Sequence, residues 1–264
     1  MPGTEQASRI SPGAKIGSGV VIAADVLVME GAVIGDNCII EPGVIIYENV
    51  KLGADSFVGA QCILGERLIG YQRDRKAYVN PELIIEAGST IRSGTIIYAS
   101  CRFGKGFQTG HRAIIRESSI FGENCSFGTL SQSDGQITVG NNCRFHNNVF
   151  IATYTTVEDD VHFYPMSCTV DSLHPPCQKG REGPHIEKGV IVGAKVLILP
   201  RVRVKAGAVI AGASVVTHDV AANMVVAGAP ARPIKQKDEV RCHLEDRPAY
   251  EVAAESFKCT GSGT

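Results

Sequence analysis

The stretch ISPGAKIGSGVVIAADVLVMEGAVIGDNCIIEPGVIIYENVKLGADSFVGAQCIL (Ile10–Leu64) carries an aliphatic residue at every sixth position: Ile10, Ile16, Ile22, Val28, Ile34, Ile40, Ile46, Leu52, Val58 and Leu64. The register resumes at Ile85 and runs to Thr169, with Phe103, Phe121, Phe127, Phe145 and Phe163 on it, and a third run spans Ile186 to Val216. Gly or an acid often follows the aliphatic, as at Gly17, Gly35, Gly53 and Glu86. Four positions after it sits a small or β-branched residue, among them Val20, Val26, Cys38, Cys62, Cys101, Cys125 and Cys143. Those five cysteines read as small core hydrophobes.

Self-similarity at a fixed short period is the mark of a solenoid. Six residues suffice for a short strand and a corner, and three such units make an 18-residue triangular coil. Coils stack at about 4.8 Å, the spacing of hydrogen-bonded strands. The expectation is an all-β, parallel β-helix of about ten coils over residues 1–234. A C-terminal segment, 235–264, follows, helical over about 235–245 and then a loose tail.

Composition agrees. Gly numbers 29, Trp is absent and charged residues make up only 20% of the chain, which suits many short strands and tight turns. A net charge of −1 gives no reason to expect a nucleic-acid or anionic-membrane partner. Neither a basic N-terminal segment leading into an apolar run nor a stretch of 18 apolar residues occurs. The nine cysteines form no paired framework. A cytoplasmic protein is expected.

The period breaks twice. Residues 65–83 leave the helix with Arg67, Arg73, Arg75 and Lys76 aboard, a solvated loop or a seat for a phosphorylated substrate. Residues 170–185 form an external loop, VDSLHPPCQKGREGPH, with Asp171, His174 and three prolines; insertions in solenoids project outward, often over the binding face.

Stacking the sequence in eighteens gives columns. Beside Thr109, Phe127, Phe145 and Phe163 runs the column Gly110, Gly128, His146, Tyr164, Gly193, Ala211, and next to it His111, Thr129, Asn147, Pro165, Ala194, Gly212. One end of this face is polar and the other is reduced to Gly and Ala. Three coil steps, about 14 Å, separate His146 from Ala211, room for a long ligand arm against bare backbone. His111, His146, His174 and His185 are candidate proton acceptors near neutral pH.

TIRSGTIIYASCRFGKGFQTGHRAIIRE (90–117), with QTGH at Gln108–His111 and IRE at Ile115–Glu117, resembles the central coils of nucleotide-sugar N-acetyltransferases; FHNNVFIATYTTVEDDVHFYP (145–165) continues the resemblance through His146, Asn147 and Asn148. VIVGAKVLILPRVRVKAGAVIAGASVVTHDVAANMVVAGAPARPI (190–234) is similar to the acetyl-CoA-binding end of hexapeptide-repeat acyltransferases. The resemblance implies a left-handed helix, a cytoplasmic homotrimer with active sites between subunits, and acetyl-CoA or another acyl-CoA as co-substrate. Carried over by position, CoA contacts Gly193, Ala194, Ala211, Ala213, Thr217 and Arg232, with His218 where many relatives have Lys. His174, in SLHP, is similar to the loop base of sugar and xenobiotic O-acetyltransferases, whereas the resemblance at 90–117 points to His111; His174 ranks first as base, with His111 or His146 orienting acceptor or thioester. Thr129, Asn147, Asn148, Tyr164, Asp171 and Glu117 are the candidate acceptor contacts.

The expected activity is acyl transfer to an amino group of a nucleotide-linked sugar, the alternative a hydroxyl on a sugar or natural product. Two rivals use the same architecture: a non-catalytic scaffold, and a zinc hydratase with three His ligands. No metal is expected, the alternative being zinc at Cys168, Cys177, Cys242 and His243.

Overall fold

The computed structural model describes residues 8–175, 177, 179–244 and 247–250. The chain winds into a three-sided prism whose faces are ladders of 11, 10 and 12 strands. The first face opens with Arg9–Ile10, the second with Lys15–Ile16 and the third with Val21–Ile22, and each strand pairs in parallel with the strand one coil later. The expected β-helix is therefore present and longer than ten coils: the third face holds twelve strands, the last of them antiparallel.

Most strands contain two residues, which is what a period of six allows. The second of the pair points inward and is buried, as with Val28, Ile46, Ile115 and Val204, while the first faces out. Corners close with one residue in the left-handed region; Asn148, at φ 57°, takes that role with a side chain that tolerates it. The core at mid-length is a run of stacked rings, Phe103 on Phe121 with centroids 5.4 Å apart and Phe145 on Phe163 at 5.0 Å. Hydroxyls that occupy aliphatic positions find one another. Thr109 lies 3.3 Å from Thr95, Ser133 3.1 Å from Ser119 and Thr169 3.2 Å from Thr155, so polar atoms enter the core already partnered.

The two breaks lie at the same prism edge, between the first and second faces. The earlier one leaves after Ile63–Glu66, forms a short helix at Gly70–Arg73 and rejoins at Leu83–Ile85; the later one fills 170–184, between Cys168–Thr169 and His185–Ile186. Arg67 lines a cavity of about 400 Å³ together with Arg75 and Tyr71. It ion-pairs with Glu48 and lies over the rings of Tyr47 and Tyr71, at 4.7 and 4.3 Å. Buried Asn80 donates to the carbonyl of Gly65 at 2.9 Å, tying the excursion down at its other end.

The helix expected over 235–245 is not formed. The chain instead turns back at Gly228 and lays Arg232–Gln236 antiparallel on Met224–Ala227, followed by a single 3-10 turn at Lys237–Glu239. The last parallel strand would otherwise present a row of unpaired backbone groups, and the returning strand satisfies them. Ala249 and Tyr250 have helical backbone, and the expected tail lies outside the described residues.

Candidate functional site

The faces differ in what they show to the outside. On the second face the outward residues are Lys15, Val33, Lys51, Ile84, Arg102, Ile120, Thr138, Thr156, His185 and Arg203, charged and apolar mixed; on the first, after Arg9, they are Leu27, Ile45, Ile63, Ile96, Ile114, Phe150, Cys168, Leu197 and Val215, interrupted by Gln132. The sequence-predicted site residues flank this apolar first face on both of its edges.

At the edge between the third and first faces the ladder runs Thr109, Phe127, Phe145, Phe163, Val192, Ile210, as the 18-residue stacking required. His146 and Tyr164 project from consecutive coils and stack, centroids 4.8 Å apart and planes 16° from parallel. Thr129 and Asn147 are engaged in the corner itself: Thr129 Oγ1 accepts from the His111 amide and Asn147 Oδ1 from the Thr129 amide, each at 3.1 Å. His111, His146 and Asn148 are exposed.

Below Tyr164 lies a groove of about 270 Å³, lined by His162, Tyr164, Ile191, Gly193, Ala194, Val209, Ile210, Ala211, Gly212 and Tyr250. Three of the six expected CoA contacts, Gly193, Ala194 and Ala211, therefore line one cavity, and Ala213 belongs to the same corner. Small residues arise here for two reasons. A Cβ on Gly193 would stand 2.6 Å from the Gly212 nitrogen, and one on Gly110 would stand 2.1 Å from that of Thr129, so the stacked backbone itself demands glycine. A Cβ on Gly212 meets nothing nearer than 3.2 Å. Gly212 is thus crowded less severely than Gly193, and its lack of a side chain leaves the floor of the groove open.

Two groove residues escaped the sequence reading. His162 is an outward strand residue between Arg144 and Ile191 in the ladder, and the columns drawn from Thr109 pass one place beside it. Burial first, then the charges of Arg144 and His146, push its pKa below the usual histidine value, against a smaller opposing effect of Asp160. Tyr250 comes from the C-terminal segment, with Lys237 Nζ 5.4 Å from its ring centroid. Burial raises the Tyr250 pKa and lowers that of Lys237. No periodic signal leads to Tyr250.

The other edge, between the first and second faces, holds the external loop. His174 is exposed there, and its carbonyl accepts from the Cys177 amide at 2.8 Å. Asp171 and Glu117 are taken up by arginines: Arg181 Nε donates to Asp171 at 2.8 Å, and Arg116 donates to both oxygens of Glu117 at 3.1 and 2.8 Å. Thr217 lies at this edge in a later coil, hydrogen-bonded to His218 at 2.8 Å, and exposed Arg232 sits on the returning strand of the third face. Within one chain the loop histidine and the His111–His146–Tyr164 group are thus held on opposite edges of the first face. Among the described residues no three His, Cys, Asp or Glu gather as a metal-ligand group, so Cys168, Cys177, Cys242 and His243 do not converge.

Period, ladders and inward aliphatics define a solenoid built on a hexapeptide repeat. Residues 31–66 match the family described as "Bacterial transferase hexapeptide (six repeats)". Over 56 residues, 21% of this chain, the sequence is 52% identical to a 2,3,4,5-tetrahydropyridine-2,6-dicarboxylate N-acetyltransferase of Staphylococcus aureus (strain JH9), and the match spans 23% of that relative's length. Among solved structures, a UDP-N-acetylglucosamine acyltransferase from Campylobacter jejuni aligns over 98% of this chain and 84% of its own, at 20% identity and a TM-score of 0.45. A hexapeptide-repeat-containing acetyltransferase from Vibrio cholerae aligns over 48% of this chain and 72% of its own, at 27% identity and a TM-score of 0.33. No helix among the described residues is long and apolar enough to cross a membrane.

Proposed function

We propose that this protein is an acyl-CoA-dependent acyltransferase, acting as a homotrimer with its active sites between subunits. The observation that carries the reading is the groove: a small-residue floor at Ala194, Ala211 and Gly212 that begins beside the stacked His146 and Tyr164. Acetyl-CoA, or another acyl-CoA, supplies the thioester, its pantetheine arm lying along that floor. The arm fits an open floor with apolar walls, Ile191 and Val209, and a polar head at Tyr164.

The first face supports the trimer. An apolar stripe along the length of a soluble prism calls for a cover, and a second copy of the chain, placed around a threefold axis, supplies one. That arrangement brings the external loop of one subunit to the His111–His146 edge of the next and reunites the two halves of the site. His174 then takes the proton from the acceptor nitrogen as that nitrogen attacks the thioester carbonyl. The C–S bond breaks as the tetrahedral intermediate collapses, and the thiolate leaves to be protonated. His111 or His146 orients acceptor or thioester.

The acceptor is assigned as an amino group on a nucleotide-linked sugar, on the strength of the QTGH segment at Gln108–His111. A sugar or natural-product hydroxyl is the second reading, favoured by the SLHP setting of His174. Calorimetric titration with acetyl-CoA, followed by a thiol-release screen of amino-sugar nucleotides against simple glycosides, tests both. A folded protein that binds no CoA ends the transferase reading and leaves the scaffold.

A further inference from the structure

The external loop is held at its neck by arginines from two directions. Arg181, on the returning strand of the loop, bonds Asp171 on the outgoing strand and reaches Thr153 Oγ1 at 3.1 Å and Asp134 at 3.7 Å, in the two preceding coils. Asp134 is in turn fixed by Arg116 at 3.1 Å. From the following coil, Arg201 donates to the Gly180 carbonyl at 3.0 Å and pairs with Glu182 at 3.2 Å. The Glu182 amide closes the neck on the Asp171 carbonyl at 2.9 Å. Asp171 is only 14% exposed and Arg181 27%, so this is a sheltered, charge-assisted contact rather than a pair waving in solvent.

Loops of this kind are ordinarily the first parts of a fold to open. Among the described residues beyond the neck the hydrogen bonds are local: Cys177 bonds back to His174 and Ser172 within the loop. What fixes the direction of the loop is therefore the neck. We propose that Arg181 is a positioning residue, locking the neck to the solenoid and so setting where His174 is presented to the partner groove. The proposal rests on the acyltransferase reading for its catalytic consequence and on geometry alone for the lock. A misplacement of about 1 Å in a reacting group costs up to about 100-fold in rate, so the lock matters to turnover while leaving CoA binding on the far edge untouched.

The test has an arm for each part. Hydrogen exchange on Arg181→Ala and Asp171→Asn is expected to speed exchange of the Glu182 amide by about tenfold or more. The Phe150 and Glu158 amides, in the neighbouring coils, report that the solenoid is intact. In turnover assays, Arg181→Ala is expected to lower kcat about 10- to 100-fold with the Kd for CoA unchanged, Arg181→Lys to recover part of it, and Arg181→Ala to add nothing in a His174→Ala background. Unchanged Glu182 exchange in both variants overturns the lock. A loss that persists in full without His174 overturns the positioning role. Absence of CoA binding in the wild type sinks the transferase reading instead, and the exchange arm still decides the lock.

Discussion

Replacing Ala211 by leucine separates a ligand-bearing groove from a merely well-packed corner. Ala211 is half-buried on the groove floor, in the column that accommodates the full side chains of His146 and Tyr164. The corner backbone thus accepts bulk, and the added branch points into a cavity of about 270 Å³. If the pantetheine arm lies there, the larger side chain of Ala211→Leu lifts it away over one coil step, about 5 Å of its length. The contact forfeited is on the order of 50–100 Å² of apolar area, about 1.3–2.5 kcal/mol at roughly 25 cal/mol per Å². The Kd for CoA should therefore rise about 10- to 70-fold, with Tm unchanged or slightly raised. Calorimetric titration and a melting curve measure both. Gly193→Ala is the contrasting variant: its Cβ would stand 2.6 Å from one backbone atom and 2.7 Å from another, so Tm falls along with binding. An Ala211→Leu protein that melts normally and binds CoA as tightly as wild type would refute the assignment of the arm to this groove.

Other outcomes follow from the same physics. Ile114→Glu, which sets a charge in the apolar first face, should convert the proposed trimer to a monomer in light scattering without unfolding the prism; an unchanged mass removes that face from the interface. Phe145→Ala empties a ring from the core stack and should cost about 3–5 kcal/mol of stability in denaturant titration. Because the folded pKa of His162 lies below its unfolded value, the folded state binds fewer protons there, and stability is lost as pH falls through about 6.5 towards the folded pKa. Arg144→Gln should move the His162 pKa upward in NMR titration and shrink that acid loss. Burial raises the thiol pKa of Cys62 to about 11 and of Cys101 to about 12, so brief alkylation of native protein at pH 8 should spare both and label exposed Cys177, as read by mass spectrometry.

The architecture is legible because a six-residue period admits few structures, and the pairing Phe145–Phe163–Val192 shows that the step across the external loop was counted correctly. The polar column was legible for the same reason: His146 and Tyr164 are neighbours because they are 18 apart. The function of each glycine was not legible, since Gly193 and Gly212 look alike in sequence and only the stacked backbone shows that a Cβ would clash at 2.6 Å at the first and stand at 3.2 Å at the second. The C-terminus misled because polar, helix-compatible residues at 235–245 carry no sign of the open ladder edge that draws Arg232–Gln236 into a strand. His162 was missed through attention to the corners, and Tyr250 because contacts from a non-repetitive tail obey no period.

A solenoid fixes the height of every side chain along its axis in steps of about 4.8 Å. That rigidity suits a long ligand, whose arm needs a straight floor, and it is why CoA contacts are sought among repeats. Proton transfer asks for placement within about 0.5 Å of one reacting atom, and a residue on a loop reaches that only if the loop is tied down. The proposed base, His174, sits where the period breaks, on a loop whose length is free of the repeat. Such a loop gives up the backbone ladder that holds everything else, and in this chain side-chain ties replace it: Arg181 to Asp171, and Arg201 to Gly180. The apolar first face completes the logic. It lies between the floor and the loop, so whatever covers it decides whether the two halves of the site ever meet.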